Sequence, residues 1–202
     1  MKFLKSLFIL ICLGLLIAGR PVLNYGVGDT VADFTLKNVD EKMISLSDYN
    51  KSKGVIVIFD CNTCPYSKAY NERIIALNSK YAAQGFPVVS INSNDAEASV
   101  GDSFDEMVRL AKSKDYNFPY LVDESQRVAK SFGATNTPHV FVLKNENNAF
   151  KVAYIGAIDD NARNASGAKR KYVEEAVDAL LANKKVATTK TKAIGCGIKW
   201  KD

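Results

Sequence analysis

The chain has 202 residues, of which 47% are hydrophobic and 24% are charged. This composition is typical of a folded globular protein and excludes an intrinsically disordered chain. The formal net charge is +5, and the basic residues are scattered without an arginine-rich block. Nucleic-acid binding is therefore not expected. A chain of this length can bury one substantial core, which predicts one main domain.

The N-terminal segment has a composition of its own. A short basic start, MKFLK, precedes the apolar run LFILICLGLLIA at positions 7–18. This order predicts a secretory signal peptide over residues 1–19. The run is shorter than the roughly 20 apolar residues of a membrane span, and an uncleaved anchor is the alternative. We therefore expect an exported protein, periplasmic or otherwise extracytoplasmic, with transient membrane contact only through this segment.

Strand and helix patterns alternate along the rest of the chain. This alternation predicts a mixed central sheet with helices on both faces, an α/β fold. Ser103 and Glu106 match a capping box at the start of one helix. The predicted strands are 27–38, 42–46, 53–60, 86–94, 118–123, 138–145 and 149–157, and the predicted helices are 65–85, 104–115, 125–134 and 169–184.

Two cysteines follow the most apolar of these strands, KGVIVIFD at 53–60, whose continuous β-branched run is typical of a buried strand. Pro65 then suits the first turn of a helix. Cys61 and Cys64 are thus expected at a helix N-terminus, where free backbone amides and the helix dipole favour a thiolate. Because thiolates attack disulfides, the C-x-x-C predicts a redox pair with Cys61 as the lower-pKa, more exposed nucleophile and Cys64 as the resolving cysteine.

A metal site is the alternative for the same residues. Zinc needs about four ligands, and the chain offers Cys61, Cys64, Cys196 and its one histidine, His139. A copper site on the C-x-x-C is a related alternative. Neither is supported by a second C-x-x-C or a paired histidine, so we expect no metal and no cofactor, with His139 as a partly exposed strand residue.

Six segments of the chain resemble one branch of the thioredoxin-like proteins of the alkyl hydroperoxide reductase and thiol-specific antioxidant superfamily. The resemblance extends from about residue 27 to residue 201. It implies a thioredoxin-like fold with an inserted αβ unit in residues 27–184, followed by a tail at 185–202. The segments are CNTCPYSKAY (61–70), SINSND (90–95), FPYLVDE (118–124), TPHVF (137–141), AIDDN (157–161) and AIGCGIKW (193–200).

The resemblance also implies roles for single residues. The redox pair would be Cys61 and Cys64, and Pro138 would be a cis-proline that faces them. The backbone of the preceding residue, Thr137, would then be free to pair with a bound substrate. The sequence departs from the superfamily before the first cysteine, where Asp60 replaces the usual tryptophan. Asp60 either points to solvent or disfavours a thiolate on Cys61 and so favours the disulfide.

The tail cysteine, Cys196, stands between two glycines in AIGCGIKW. It is either an idle surface thiol or a third redox cysteine that exchanges with Cys61 or Cys64 or bridges two chains. Exchange within one chain needs Cα atoms within about 7 Å. Because apolar residues flank Cys196, we expect the tail to pack on the domain, with Cys61–Cys64 as the main disulfide.

These patterns together predict an exported thiol-disulfide oxidoreductase. Its partners would be client protein disulfides and an upstream thiol electron donor. A peroxiredoxin-type peroxidase is one alternative, although the motif P-x-x-x-T-x-x-C would place proline and threonine where Gly54 and Ile58 stand. A metal-binding or assembly module without turnover is the other.

Overall fold

The computed structural model describes residues 24–201. Most predicted strands and helices are present there, although the first strand is shorter than expected and two short strands were not predicted. The strands are β1 (Thr35–Asn38), β2 (Met43–Ser45), β3 (Gly54–Phe59), β4 (Val88–Asn92), β5 (Tyr120–Val122), β6 (Asn136–Thr137), β7 (His139–Glu146), β8 (Ala149–Gly156) and β9 (Cys196–Gly197). The helices are α1 (Pro65–Tyr81), α2 (Phe104–Ser113), α3 (Arg127–Phe132) and α4 (Tyr172–Leu181).

The main sheet has seven strands in the order β2-β1-β5-β4-β3-β7-β8. Strand β3 pairs in parallel with β4 and antiparallel with β7. Strands β4 and β5 are also parallel, whereas β7 and β8 form an antiparallel hairpin. The prediction of a mixed sheet is therefore confirmed. Helix α2 and strand β5 follow β4 and form the inserted αβ unit.

Helices cover both faces of this sheet, as the sequence predicted. Ile56 and Ile58 of β3 belong to the apolar cluster that contains residues of α1 and α4. Val55, Val57 and Phe59 face the opposite way and pack with α3. All six residues of β3 are buried. The carboxyl end of β3, where the cysteines follow, is thereby fixed in the interior.

Helix α1 begins at Pro65, with Cys64 as its N-cap residue. Proline is favoured at this first position because its missing N–H would have no partner within the helix. Helix α2 has Ser103 as its N-cap, but the serine side chain makes no capping hydrogen bond. Since Glu106 pairs with Arg109 instead, the prediction of a capping box is wrong.

The C-terminal tail packs on the domain, which confirms the expectation for it. Strand β9 pairs antiparallel with β6, so that Cys196 lies opposite Thr137. The side chain of Ile198 is buried in the same apolar cluster as α3. Upstream, the backbone of Thr191 hydrogen-bonds to Ile155 of β8. The tail is thus attached at two places along its length.

The predicted signal segment, residues 1–19, lies outside the described residues. Within residues 24–201, no helix combines the length and the apolar character needed to cross a membrane.

Candidate redox site

Cys61 and Cys64 lie in the turn that connects β3 to α1. Both side chains are buried, with 3% of Cys61 and 2% of Cys64 exposed. The expected greater exposure of Cys61 is therefore absent. The helix N-terminus also falls at Cys64 rather than at Cys61, because Cys64 is the N-cap residue.

Thr137 contacts both cysteines from the other side of the site. Its hydroxyl Oγ1 is 3.1 Å from Cys61 Sγ, and its carbonyl oxygen is 3.2 Å from Cys64 Sγ. The Thr137–Pro138 peptide bond is cis, as the resemblance implied. The structure thus brings together four of the residues singled out in the sequence: the two cysteines, Thr137 and Pro138.

Cys196 joins the same cluster, 132 residues along the chain from Cys64. Its Sγ is 2.7 Å from Cys64 Sγ, and its backbone N–H donates to Cys64 Sγ at 3.4 Å. The tail comes this close because residue 195 is a glycine: a Cβ at Gly195 would overlap the carbonyl oxygen of Thr137. The described structure therefore contains three adjacent thiols, with the sulfur of Cys64 against that of Cys196.

The ionisation of the pair runs against the sequence-based expectation. A hydrogen bond between the two thiols lowers the pKa of Cys64 and raises the pKa of Cys61, and burial raises the latter further. Cys64 is also stabilised as a thiolate by a hydrogen bond with Cys196 and by the backbone amide of Ser67. The direction of these shifts is opposite to the prediction that Cys61 has the lower pKa.

Asp60 is buried beside the cysteines, with 3% of its surface exposed. The interpretation that it points to solvent is wrong. Burial raises its pKa to about 7, against a partly offsetting hydrogen bond with Ser67. Its Oδ1 atom has no hydrogen-bond partner. An ionised Asp60 therefore places an uncompensated negative charge next to Cys61 and Cys64.

Asp102 holds the C-x-x-C turn in place, a role that the sequence did not reveal. Its Oδ1 accepts the backbone N–H of Asn62 at 2.6 Å and that of Thr63 at 3.2 Å. Its Oδ2 accepts the hydroxyl of Thr63 at 2.7 Å. No local pattern around Asp102 indicates these contacts, because they join segments about 40 residues apart. The buried carboxylate fixes the two residues between the cysteines.

His139 directly follows Pro138 and is the first residue of strand β7, where it pairs with Phe59. The expectation that it is partly exposed is wrong, because it is buried and burial lowers its pKa to about 4. Among the described residues, no group of three or more His, Cys, Asp or Glu side chains is arranged to hold a metal ion. The four-ligand zinc site gains no support from this geometry, and the copper site, which needs only the two cysteines, stays an alternative.

Comparisons with known proteins show the family and the fold of this chain. The AhpC/TSA family model matches residues 27–154. The thiol-disulfide oxidoreductase ResA of Bacillus thuringiensis subsp. konkukian is 23% identical over 120 residues, which cover 58% of this chain and 63% of that protein. The crystal structure of an uncharacterized conserved protein from Geobacillus kaustophilus superposes on this structure with a TM-score of 0.81 at 35% sequence identity. The match covers 88% of this chain and 93% of that one.

A crystal structure of a putative thiol:disulfide interchange protein DsbE from Chlorobium tepidum superposes with a TM-score of 0.61 at 19% identity, over 78% of this chain and 99% of that one. The fold and site thus define a thioredoxin-like protein with a C-x-x-C at the start of its first long helix. The chain belongs to the AhpC/TSA family. It spans 63% of the length of the Bacillus ResA that it matches.

Proposed function

We propose that this protein is an exported thiol-disulfide oxidoreductase with Cys61 and Cys64 as its redox pair. One observation carries the proposal: both sulfurs lie at the start of α1 and against Thr137, directly before cis-Pro138. The name of the ResA relatives supports it. Backbone amides stabilise Cys64 as a thiolate, and a thiolate paired with a second cysteine can close a disulfide.

The reaction that fits this site is the reduction of a client disulfide. Cys61 attacks one client sulfur as its proton passes along the thiol–thiol hydrogen bond to Cys64, and the other client sulfur leaves as a thiolate. Cys64 then gives this proton to the client thiolate that has left, and the thiolate of Cys64 attacks Cys61. The Cys61–Cys64 disulfide forms, and the first client sulfur leaves. The client has gained two electrons, which an upstream thiol donor returns to the enzyme.

Asp60 sets the direction of this chemistry. Its ionised form disfavours a second negative charge on the buried pair, and the thiolate of Cys64 in turn raises the pKa of Asp60. This repulsion favours the disulfide over the reduced enzyme. We therefore propose that the protein acts as a reductant of client disulfides rather than as an oxidant.

Export is the part of the proposal that rests on the N-terminal sequence. The basic start and the apolar run at 7–18 support a signal that is cleaved near residues 18–20. Mass spectrometry of the protein from its native host tests this. An intact 202-residue chain in the soluble cytoplasm would contradict export and anchoring together.

An insulin-reduction assay with dithiothreitol, run beside a peroxide-consumption assay, tests the activity. We expect insulin reduction and little peroxide consumption, because buried Gly54 and Ile58 occupy the positions of the peroxidase motif. Peroxide consumption without insulin reduction would overturn the proposal. Metal analysis of anaerobically purified protein, in the same preparation, would reveal a metal-binding module without turnover.

A pair of serine variants tests the roles of the two cysteines. Cys64→Ser is expected to accumulate mixed disulfides with clients, because the attacking Cys61 remains but its resolving partner is gone. Cys61→Ser is the matched control and is expected to accumulate none. Trapping by Cys61→Ser alone would reverse the assignment.

A further inference from the structure

We infer that Cys196 is a third redox cysteine, which takes the disulfide over from Cys61 by bonding to Cys64 and then reacts with the electron donor. The inference rests on the proposed function and names the place where the donor acts. In the structure the sulfurs of Cys64 and Cys196 are 2.7 Å apart, and the sulfurs of Cys61 and Cys64 both contact Thr137.

The geometry of the tail carries this inference. The two sulfurs are 2.7 Å apart, and a disulfide bond is about 2.05 Å long. Pairing of Cys196 with Thr137 fixes the backbone on one side. On the other, the carbonyl oxygen of Lys199 accepts hydrogen bonds from the backbone of Asp95 and the side chain of Gln126, both at 2.8 Å. An idle thiol would not need to be held over Cys64 by contacts on both sides.

The exposure of the three thiols indicates which one the donor can reach. Cys61 and Cys64 are both almost fully buried. Cys196 is partly exposed and is the most accessible of the three. A donor thiol has to approach the sulfur that it attacks. Of the two disulfides that this cluster can form, the one between Cys64 and Cys196 therefore offers the sulfur that an outside thiol can reach.

The exchange consists of two balanced steps. In the first, the thiolate of Cys196 attacks Cys64 in the Cys61–Cys64 disulfide. The Cys64–Cys196 bond forms, the Cys61–Cys64 bond breaks, and Cys61 leaves and takes up the proton that Cys196 lost. In the second, one thiolate of a donor dithiol attacks Cys196, and Cys64 leaves as a thiolate. The second donor thiolate then closes the donor disulfide and releases Cys196, so that two electrons have passed to the enzyme.

The ionisation of the cluster suits the second of these steps. A thiolate with a low pKa leaves faster, and the pKa of Cys64 is lowered by its hydrogen bonds with Cys61 and Cys196. Burial raises the pKa of Cys196 to about 11. Attack by the donor on Cys196 therefore expels the better leaving group, and Cys196 is protonated again once the donor has left.

The first test is disulfide mapping. Cys61→Ser is oxidised under mild conditions and digested without reduction, and we expect a peptide in which Cys64 is bonded to Cys196. The second test is the rate at which dithiothreitol reduces the oxidised protein. We expect Cys196→Ser to be reduced at least about tenfold more slowly than the wild type, because the donor must then attack a buried disulfide. Ile194→Ser, an exposed change in the same tail, is the matched control and should keep the wild-type rate.

Absence of the Cys64–Cys196 peptide, or equal reduction rates for Cys196→Ser and the wild type, would overturn the inference. Either result leaves the proposed function standing if the wild type reduces insulin. A wild-type protein that cannot reduce insulin would overturn the proposed function instead, whichever disulfide is found.

Discussion

Replacing Asp60 by asparagine should change how the stability of the protein depends on pH. Asparagine keeps the size of the side chain but cannot ionise. In the folded protein burial raises the pKa of Asp60 from 3.8 to about 7. Between those pH values the folded chain holds a proton that the unfolded chain has lost. The wild type therefore loses stability as the pH rises through this window, and the variant does not.

The size of the effect follows from the same two values. One pH unit is worth about 1.4 kcal/mol, so the full cost of ionising Asp60, present above about pH 7, is about 4 kcal/mol. The free energy of unfolding of Asp60→Asn should match that of the wild type below about pH 3. Relative to the wild type, it should then increase by about 3 kcal/mol between about pH 4.5 and pH 8.

Urea unfolding of the reduced proteins at several pH values measures this difference directly. Asp105→Asn removes an exposed carboxylate of α2 and is the matched control. It should show no such increase. A difference between Asp60→Asn and the wild type that stays constant within about 0.5 kcal/mol from about pH 4.5 to pH 8 would refute the buried-charge argument.

Three further predictions concern the same site. Thiolate absorbance at about pH 7 should persist in Cys61→Ser and disappear in Cys64→Ser; the reverse result would mean that the ionisation is assigned to the wrong sulfur. Asp60→Ala should make the disulfide easier to reduce, and a shift in reduction potential below about 10 mV, less than about 0.5 kcal/mol, would show that the carboxylate is a bystander. Asp102→Ala should lower the free energy of unfolding by about 2–4 kcal/mol in urea titrations, because it leaves the buried amide of Asn62 unpaired and removes two hydrogen bonds from Thr63; a loss below about 1 kcal/mol would contradict this.

The centre of the fold was predictable from the sequence because its signals are local. The continuous apolar run of β3 predicts a strand that is buried on both faces of the sheet. Pro65 predicts the first residue of α1. Strands β7 and β8 are joined by two residues, Asn147 and Asn148, that adopt the left-handed backbone conformation of a tight hairpin turn. These features depend on residues within one or two elements.

The arrangement of the site was less predictable because it depends on distant contacts. Whether Asp60 points inward is decided by the packing around the end of β3, which its neighbours in sequence do not show. The contact between Cys64 and Cys196 spans 132 residues. The contact between Asn62 and Asp102 spans 40 residues. The sequence indicated which cysteines to consider, but it did not indicate that the sulfur of Cys196 contacts that of Cys64.

The short pairing of β9 with β6 has a consequence for the client binding that we propose. The edge of Thr137 that hydrogen-bonds to Cys196 can hold only one neighbouring strand at a time. An extended peptide that pairs with this edge has to displace the tail, and Cys196 leaves Cys64 with it. Only two residues on each side form the pairing, so the competition is between short segments. Occupancy of this edge and contact between Cys64 and Cys196 are thus mutually exclusive.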